Sequence, residues 1–397
     1  MKKFTFLIAG LLAFSTLAGA QGNEKVREAY GFKDIVRLGC TPVKSQDNAG
    51  TCWSWSGNSF LESEMIRMGK PAVEISPLFT VWNCYDQKAV NYVRLHGVAN
   101  FSQGGSFADV IWSLKTYGTV PLEVYKGLNY GEKVHAHSEL EALLKSYVDV
   151  IIQKKNGRLT TAWRRGFDAI LNEYLGAKPE TFEYKGKEYT PQTFAKDFCG
   201  LDADNYIFLT SFTHHPFYSQ FALEVPDNWI NGLNYNVPIE ELVDICDKAL
   251  DNGYTIAWAT DCSENGFTRT GMAVTPDSEI KLTKDNEEAK WVKNLPKAEM
   301  AVELAKGPMK QKEVTQEMRQ QEYDTYLTTD DHGMHIIGKA VDKNGTKYFI
   351  VKNSWGSKSG FEGYWYASYE FFAHKTMNIM IHKDALSKNM KKKLDID

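Results

Sequence analysis

The chain has few cysteines, and none of them stands in a metal-binding arrangement. No two cysteines form a C-x-x-C pair, which excludes a zinc ribbon of the usual spacing. Cysteines of an exported protein are disulfide candidates by default, but a large chain with sparse, irregularly spaced cysteines leaves their pairing open. The six cysteines in 397 residues are Cys40, Cys52, Cys84, Cys199, Cys246 and Cys262.

Blocks of one charge and long apolar runs are also scarce. The formal net charge is −4, and after the N-terminus the only basic block is Lys391-Lys392-Lys393 near the C-terminal end. This pattern argues against nucleic-acid binding. Beyond the first 20 residues, no apolar stretch approaches the ~20 residues of a membrane-spanning helix. We therefore expect no nucleic-acid partner and no membrane span in the mature chain.

Residues 1–20 have the pattern of a secretory signal peptide. Two lysines precede an apolar run, and Ala18 and Ala20 place small residues where a signal peptidase requires them. An uncleaved membrane anchor is the alternative, but the apolar run is too short to span a bilayer comfortably. We predict an exported protein, periplasmic or secreted, whose mature chain starts at Gln21.

The periodicity of apolar residues changes from helical to β along the chain, which predicts an α+β fold. Helices are expected over residues 52–68, 106–117, 138–176 and 238–252. Strands are expected over residues 254–260, 334–341, 347–353, 363–368 and 376–382, with a hairpin turn at Asn344-Gly345. We divide the mature chain into a helical lobe (21–130), a charged helical insertion (131–235) and a β-rich lobe with a C-terminal tail (236–397).

Cys52 is the candidate nucleophile. It follows a polar loop with proline and glycine, residues 41–51, and begins a predicted helix. A helix N-terminus lowers the pKa of a thiol, because its unpaired N–H groups favour negative charge. A cysteine nucleophile also needs a histidine as base, and that histidine needs a polar partner to orient its ring.

His335 and Asn353 are the predicted base and orienting residue. They lie almost opposite each other across the Asn344-Gly345 hairpin, if the ladder continues from the turn without interruption. The Asn353 amide oxygen would then hold one ring nitrogen of His335 and leave the other for Cys52. This geometry predicts a Cys-His-Asn site.

Two further residues are assigned supporting roles. Gln46 lies six residues before Cys52, where its side-chain amide could donate to an oxyanion together with the Cys52 backbone N–H. Trp355 follows Asn353 by two residues and would cover the His–Asn contact from water.

These segments resemble the papain-like cysteine peptidases. QDNAGTCWSWS (46–56) is similar to the Q-x5-C-W segment of that family, and GMHIIGKAV (333–341) and VKNSWG (351–356) are similar to its histidine and asparagine strands. QGGSFADVIWSLKTYGTVP (103–121) resembles the segment after the family's double glycine. The resemblance implies a two-lobed fold, with a helical lobe and a β-barrel-like lobe, and a thioester acyl-enzyme. It also implies substrate binding by Gly104, Gly105 and Trp355.

Two departures from the family resemble its bleomycin hydrolase / aminopeptidase C branch. Ala49 stands where the family usually has a cysteine, and His335 follows Cys52 by 283 residues instead of ~130–150. The branch resemblance implies an aminopeptidase acting on short peptides, a homo-oligomer (a hexamer), and a substrate α-amine held by the terminal carboxylate at Asp397. The 15 residues after His382 are shorter than the branch leads us to expect, and its members are usually cytoplasmic.

Other functions remain open from the sequence. The same site would serve a dipeptidyl-peptidase, an endopeptidase, or an enzyme that removes an amide-linked group from a small metabolite. A binding protein with a dead site is disfavoured, because Gln46, Cys52, His335 and Asn353 are all present. A metal site built from His332 and His335, with His214-His215, is disfavoured because H-x-x-H on a strand points its rings to opposite faces. We expect no metal and no cofactor.

Overall fold

A computed structural model describes residues 23–153, 157–277 and 297–396. The predicted signal peptide and Asp397 lie outside the described residues. No helix in the described part of the chain is both long and apolar enough to cross a membrane.

The N-terminal part of the chain is helical, and local sequence signals explain where its helices begin. Pro77 opens the second long helix behind Ser76, whose hydroxyl accepts the N–H of Phe79. Ser106 and Asp109 form a capping box at the start of the third helix. A short helix spans residues 23–30. The described helices that follow it in this part are α1 (Cys52–Arg67), α2 (Pro77–Arg94), α3 (Phe107–Tyr117), α4 (Ser138–Ile152) and α5 (Ala162–Leu175).

The remaining helices lie among the strands. They are α6 (Ile239–Asp251), α7 (Lys297–Leu304), α8 (Gln316–Asp324), α9 (Tyr369–Lys375) and α10 (Lys388–Leu394). Short helical turns occur at Pro191–Thr193, Phe194–Phe198, Ala203–Asn205 and Lys383–Ala385.

The strands of the described residues form one ten-stranded sheet and one small hairpin. The hairpin consists of β2 (Phe182–Tyr184) and β3 (Lys187–Tyr189). The strands of the sheet are β1 (Lys33–Arg37), β4 (Tyr206–Thr210), β5 (Gln220–Ala222), β6 (Leu233–Asn236), β7 (Ile256–Thr260), β8 (Met272–Ala273), β9 (His332–Val341), β10 (Lys347–Lys352), β11 (Tyr364–Ser368) and β12 (Thr376–His382). The sheet runs in the order β5-β6-β4-β12-β7-β9-β10-β11-β8, and β1 pairs with β9 outside this path.

The predicted α+β class is confirmed, and residues 131–235 are less helical than the sequence indicated. After α4 and α5, this stretch supplies β4, β5 and β6 to the main sheet. These strands contain only three to five residues each, which is too short for a clear alternation of apolar and polar residues.

Helix α1 packs directly against strand β9, and this contact joins the helical part to the sheet. The two elements approach closely at Gly333, where an added Cβ would lie 2.8 Å from Ser56 Oγ and 3.2 Å from Trp53 Cα. Only glycine permits this spacing without displacing the helix. The first turn of α1 and the first residues of β9 are thereby held against each other.

Candidate active site

Cys52 occupies the first position of α1, as predicted, and faces a cleft between the helical part and the sheet. A residue at this position has an N–H group without an intrahelical acceptor. The Cys52 thiol contacts the backbone N–H groups of Gly333 and Trp53, which favour a thiolate. The empty volume of the cleft is about 440 Å³ when the space open to solvent is included. It is lined by Cys52, Trp53, Gly105, Ser106, Phe107, Leu223, Val225, Asp227, Asn228, Ala259, Asp330, Asp331, His332, Gly333 and Asn378.

Asn353 holds His332, at the first residue of β9. The distance from His332 Nε2 to Asn353 Oδ1 is 2.8 Å, and the same oxygen accepts the backbone N–H of Ser354 at 2.7 Å. Because a backbone N–H can only donate, the atom facing His332 is the amide oxygen. His332 must then carry its proton on Nε2, which leaves the Nδ1 lone pair available. His332 and Cys52 line the same cleft.

The predicted contact between His335 and Asn353 is wrong. The His335 ring is fully buried against α1, with Nδ1 3.0 Å from Ser59 Oγ. Lys352 Nζ donates to that same hydroxyl oxygen at 2.9 Å, so the single Ser59 proton is directed to His335 Nδ1. The accepting nitrogen of His335 is therefore already used, and its protonated Nε2 has no partner among the described residues.

A bulge in the pairing of β9 with β10 and the alternation of side chains along β9 explain this difference. Ile350 pairs with Gly338 but Val351 pairs with Ile336, so a bulge shifts the register by one residue and places His335 opposite Lys352. Both of these side chains point towards α1. Asn353 points to the opposite face of the sheet. His332 lies three residues before His335, and because side chains alternate along a strand it points to the same face as Asn353. Gly333, directly after His332, is the sequence feature that could have indicated His332, because glycine permits the close approach of β9 to α1.

Gln46 is connected to this pair through Ser354. Its amide oxygen accepts the Ser354 hydroxyl at 2.6 Å, and its amide nitrogen donates to Ala49 O at 2.8 Å. The two hydrogen bonds fix the plane of the amide and leave one N–H without an acceptor among the described residues. The backbone adds a second link, because Gln46 N donates to Ser354 O at 2.8 Å.

Trp355 stacks on the imidazole of His332. The ring centroids are 4.6 Å apart and the planes differ by 27°. This arrangement covers one face of the ring and restricts its rotation. Trp355 does not line the cleft.

The double glycine lies at the edge of the cleft, and each glycine has a neighbour in the space of a side chain. A Cβ on Gly104 would lie 2.0 Å from Asp227 Oδ2, and one on Gly105 would lie 2.7 Å from the Trp53 ring. The buried Lys88 ammonium donates to the Gly104 carbonyl and to Ser102 O. The hydrogen bonds from Lys88 therefore fix the double-glycine loop on its buried side, and Asp227 lies against the loop.

Asp227 and Asp330 give the cleft an acidic wall. Asn100 Nδ2 donates to Asp227 at 3.1 Å, whereas Asp330 accepts no hydrogen bond from any described residue. Burial, together with the smaller effect of the charges on Asp227 and Asp331, raises the pKa of Asp330 to about 7. Burial also raises the pKa of Asp227. The third acid, Asp331, is engaged by the backbone N–H groups of Cys262 and Ser263.

The C-terminal helix α10 packs on the sheet lobe, away from this wall. Leu394 is buried in the same apolar cluster as α6, and Lys393 Nζ lies 2.6 Å from Glu241 Oε1 on that helix. None of the described residues 383–396 lines the cleft. Asp397, to which the sequence assigned the substrate amine, lies outside the described residues.

Burial disfavours a charge on Cys52 alone or on His332 alone. It raises the pKa of the Cys52 thiol to about 12, and it lowers the pKa of His332 to about 4 against the effect of the Asn353 hydrogen bond. Transfer of the proton from Sγ to Nδ1 would create both charges together, and their attraction would offset the desolvation of each. Burial and the charges of Lys352 and Lys44 hold the pKa of His335 well below its usual value.

A family comparison agrees with the fold. The model of the Peptidase C1-like family matches residues 93–290 and 309–397, which is most of the chain. The chain belongs to the Peptidase C1-like family. The matched part contains His332, His335 and Asn353. The prediction of a papain-like cysteine peptidase of the aminopeptidase C branch is confirmed.

Relatives of this Peptidase C1-like chain are similar over most of their length. Aminopeptidase C of Lactobacillus delbrueckii subsp. lactis is 23% identical over 91% of this chain and 83% of the relative. Aminopeptidase G of the same organism is 27% identical over 98% of this chain and 91% of the relative. The solved structure of PepW from Lactobacillus rhamnosis HN001 aligns with a TM-score of 0.66 at 19% identity, over 91% of this chain and 84% of that one. This likeness supports the papain-like fold.

Proposed function

We propose that this Peptidase C1-like protein is an aminopeptidase that releases single N-terminal residues from short peptides through a Cys52–His332–Asn353 site. The observation that carries the proposal is the 2.8 Å contact of His332 Nε2 with Asn353 Oδ1, in a cleft that His332 shares with Cys52. The relatives named aminopeptidases support the type of cleavage.

In the first half of the reaction, His332 Nδ1 takes the proton of Cys52, and the thiolate attacks the carbonyl carbon of the first peptide bond. The negative charge on the carbonyl oxygen is stabilised by the free N–H of Gln46 and the backbone N–H of Cys52. His332 Nδ1–H then protonates the leaving amine. The product is a thioester between Cys52 and the first residue of the substrate.

In the second half, water replaces the leaving amine. His332 Nδ1 removes a proton from the water, which attacks the thioester through a second oxyanion. The amino acid leaves, and the proton returns to the Cys52 sulfur. Asn353 and the stacked Trp355 keep the imidazole in the one tautomer and orientation that serve both steps.

The substrate α-ammonium would face Asp330, with Asp227 beside it. Asp330 has no hydrogen-bond donor among the described residues, and its charge and that of Asp227 repel each other. A cation between the two carboxylates relieves that repulsion and supplies the missing donor. The same two charges raise the pKa of the Cys52 thiol, so a bound ammonium would also favour the thiolate.

Replacing Asp330 with asparagine should reduce selectivity for free amines. We expect KM for an aminoacyl fluorogenic amide to rise by about 10- to 100-fold, since a hydrogen bond to a charged group contributes about 1.5–3 kcal/mol. The rate on the N-acetylated form of the same substrate should not fall. In the wild-type enzyme, kcat/KM for the free amine should rise as pH increases through about 7, where Asp330 becomes charged. The D330N profile should lack this rise.

The control for this experiment is Asp244→Asn, which removes an exposed carboxylate that pairs with Lys248 on α6. It should change neither selectivity nor the pH profile. An unaltered preference for the free amine in D330N would contradict the assignment. Deletion of Asp397 distinguishes the alternative in which the terminal carboxylate binds the amine. Efficient cleavage of N-blocked peptides by the full-length enzyme would instead favour an endopeptidase. Release of dipeptides would favour a dipeptidyl-peptidase.

We also propose that the protein is exported, to the periplasm or the medium, and that the mature chain assembles as a homo-oligomer, a hexamer in the resembled branch. The signal-like pattern of residues 1–20 supports export. Mass spectrometry of the protein from the extracytoplasmic fraction should find Gln21 as the first residue. An intact N-terminus in the cytoplasmic fraction would contradict export. The oligomeric state would be measured separately by light scattering.

A further inference from the structure

His214, His215 and Glu224 form a cluster outside the active site. The distance from His214 Nε2 to Glu224 Oε2 is 3.0 Å, and from His215 Nε2 to Glu224 Oε1 it is 2.9 Å. One ligand atom from each of the three residues lies within 4.8 Å of the others. We propose that these residues bind a divalent transition-metal ion, with Zn²⁺ as the best match.

The donor set fits this ion chemically. Two imidazole nitrogens and one carboxylate oxygen are the ligands of a common zinc site, and water fills the fourth position. Without a metal, each histidine bonds a different oxygen of Glu224, and each needs a proton on Nε2 to do so. A cation replaces both protons and satisfies all three groups at once.

Neighbouring residues hold the two rings in the required orientation. His214 stacks on Tyr323 with an angle of 18°, and its Nδ1 lies 3.1 Å from Gln320 Nε2 and 3.3 Å from Gln320 Oε1. His215 stacks on Phe221 with ring centroids 4.1 Å apart. The Nε2 atoms of both rings therefore face Glu224, and a metal would bind with little rearrangement of the side chains.

The cluster lies behind a wall of the substrate cleft. Glu224 stands between Leu223 and Val225, which both line the cleft, and its backbone carbonyl accepts the Tyr323 hydroxyl at 2.8 Å. A metal held by Glu224 and by the loop at His214-His215 would tie these two segments together. The site would stabilise the cleft wall without taking part in the chemistry at Cys52.

Zn²⁺ binding to the untagged, metal-free protein tests this proposal. Cys52 should first be alkylated with iodoacetamide, because Cys52 and His332 would themselves bind zinc. Calorimetric titration should then give one Zn²⁺ per chain with a micromolar or lower Kd, and Tm should rise by several degrees. Co²⁺ in place of Zn²⁺ should give the visible absorption bands of a tetrahedral site.

The variant Glu224→Gln keeps the shape of the side chain and should weaken Zn²⁺ binding at least tenfold. The double variant His214→Ala, His215→Ala should abolish it, and His96→Ala, an exposed histidine elsewhere, should leave it unchanged. If E224Q and the double variant bind zinc as the unsubstituted protein does, or if that protein binds none, the site does not exist. E224Q keeps the test valid even if the double variant does not fold.

Discussion

Replacing His332 with alanine is expected to lower kcat by about 10⁴- to 10⁶-fold, comparable to the loss for Cys52→Ser, because the two residues act as a unit. Without Nδ1, Cys52 loses the imidazole that accepts its proton, and burial keeps the thiol neutral. The rate of alkylation of Cys52 by iodoacetamide near pH 7 should fall with kcat. Steady-state kinetics and mass spectrometry of the labelled peptide measure both effects.

His335→Ala is the matched control, since both histidines are buried on the same strand. Its effect should be on stability: removal of a buried ring leaves a cavity and deprives the Ser59 hydroxyl of its acceptor, at a cost of about 2–4 kcal/mol. The folded fraction should keep kcat within a few-fold of wild type. If H335A loses turnover while H332A retains it, the assignment of the base reverts to His335.

The choice between these histidines shows where the sequence stops being informative. The sequence identified Asn353 and the strand that carries the histidine, because the hairpin turn and the apolar strands are local signals. It did not identify the bulge between the pairs Ile350–Gly338 and Val351–Ile336. A shift of one residue moves every side chain to the other face, so extrapolation from the turn selected His335.

Local signals also predicted the α1, α3 and α6 helices and the last four strands to within about two residues at each end. Tertiary pairing decided the rest. Strands β4, β5 and β6 are stabilised by their place in the sheet rather than by their own patterns. The acidic wall could not be predicted either, because Asp227 and Asp330 are about a hundred residues apart and meet only through the fold.

Replacement of Gln46 should cause the second large loss of kcat. It tests the oxyanion site separately from the base. Gln46→Ala should lower kcat by about 10²- to 10³-fold, the usual loss for one oxyanion donor, with little change in KM. The rate of Cys52 alkylation should remain near that of wild type, because Gln46 lies outside the proton transfer between Cys52 and His332.

Two further variants separate donation by Gln46 from its effect on local structure. Gln46→Glu keeps the oxygen that accepts the Ser354 hydroxyl at 2.6 Å. It removes the N–H that bonds Ala49 O and places a charge where the free N–H should donate, so kcat should fall at least as far as in Q46A. Ser354→Ala removes that hydrogen bond and leaves the donor in place, so it should cost only about tenfold. Equal losses in S354A and Q46A would mean that Gln46 only supports the loop before Cys52. An unchanged kcat in Q46E would rule out donation to the oxyanion.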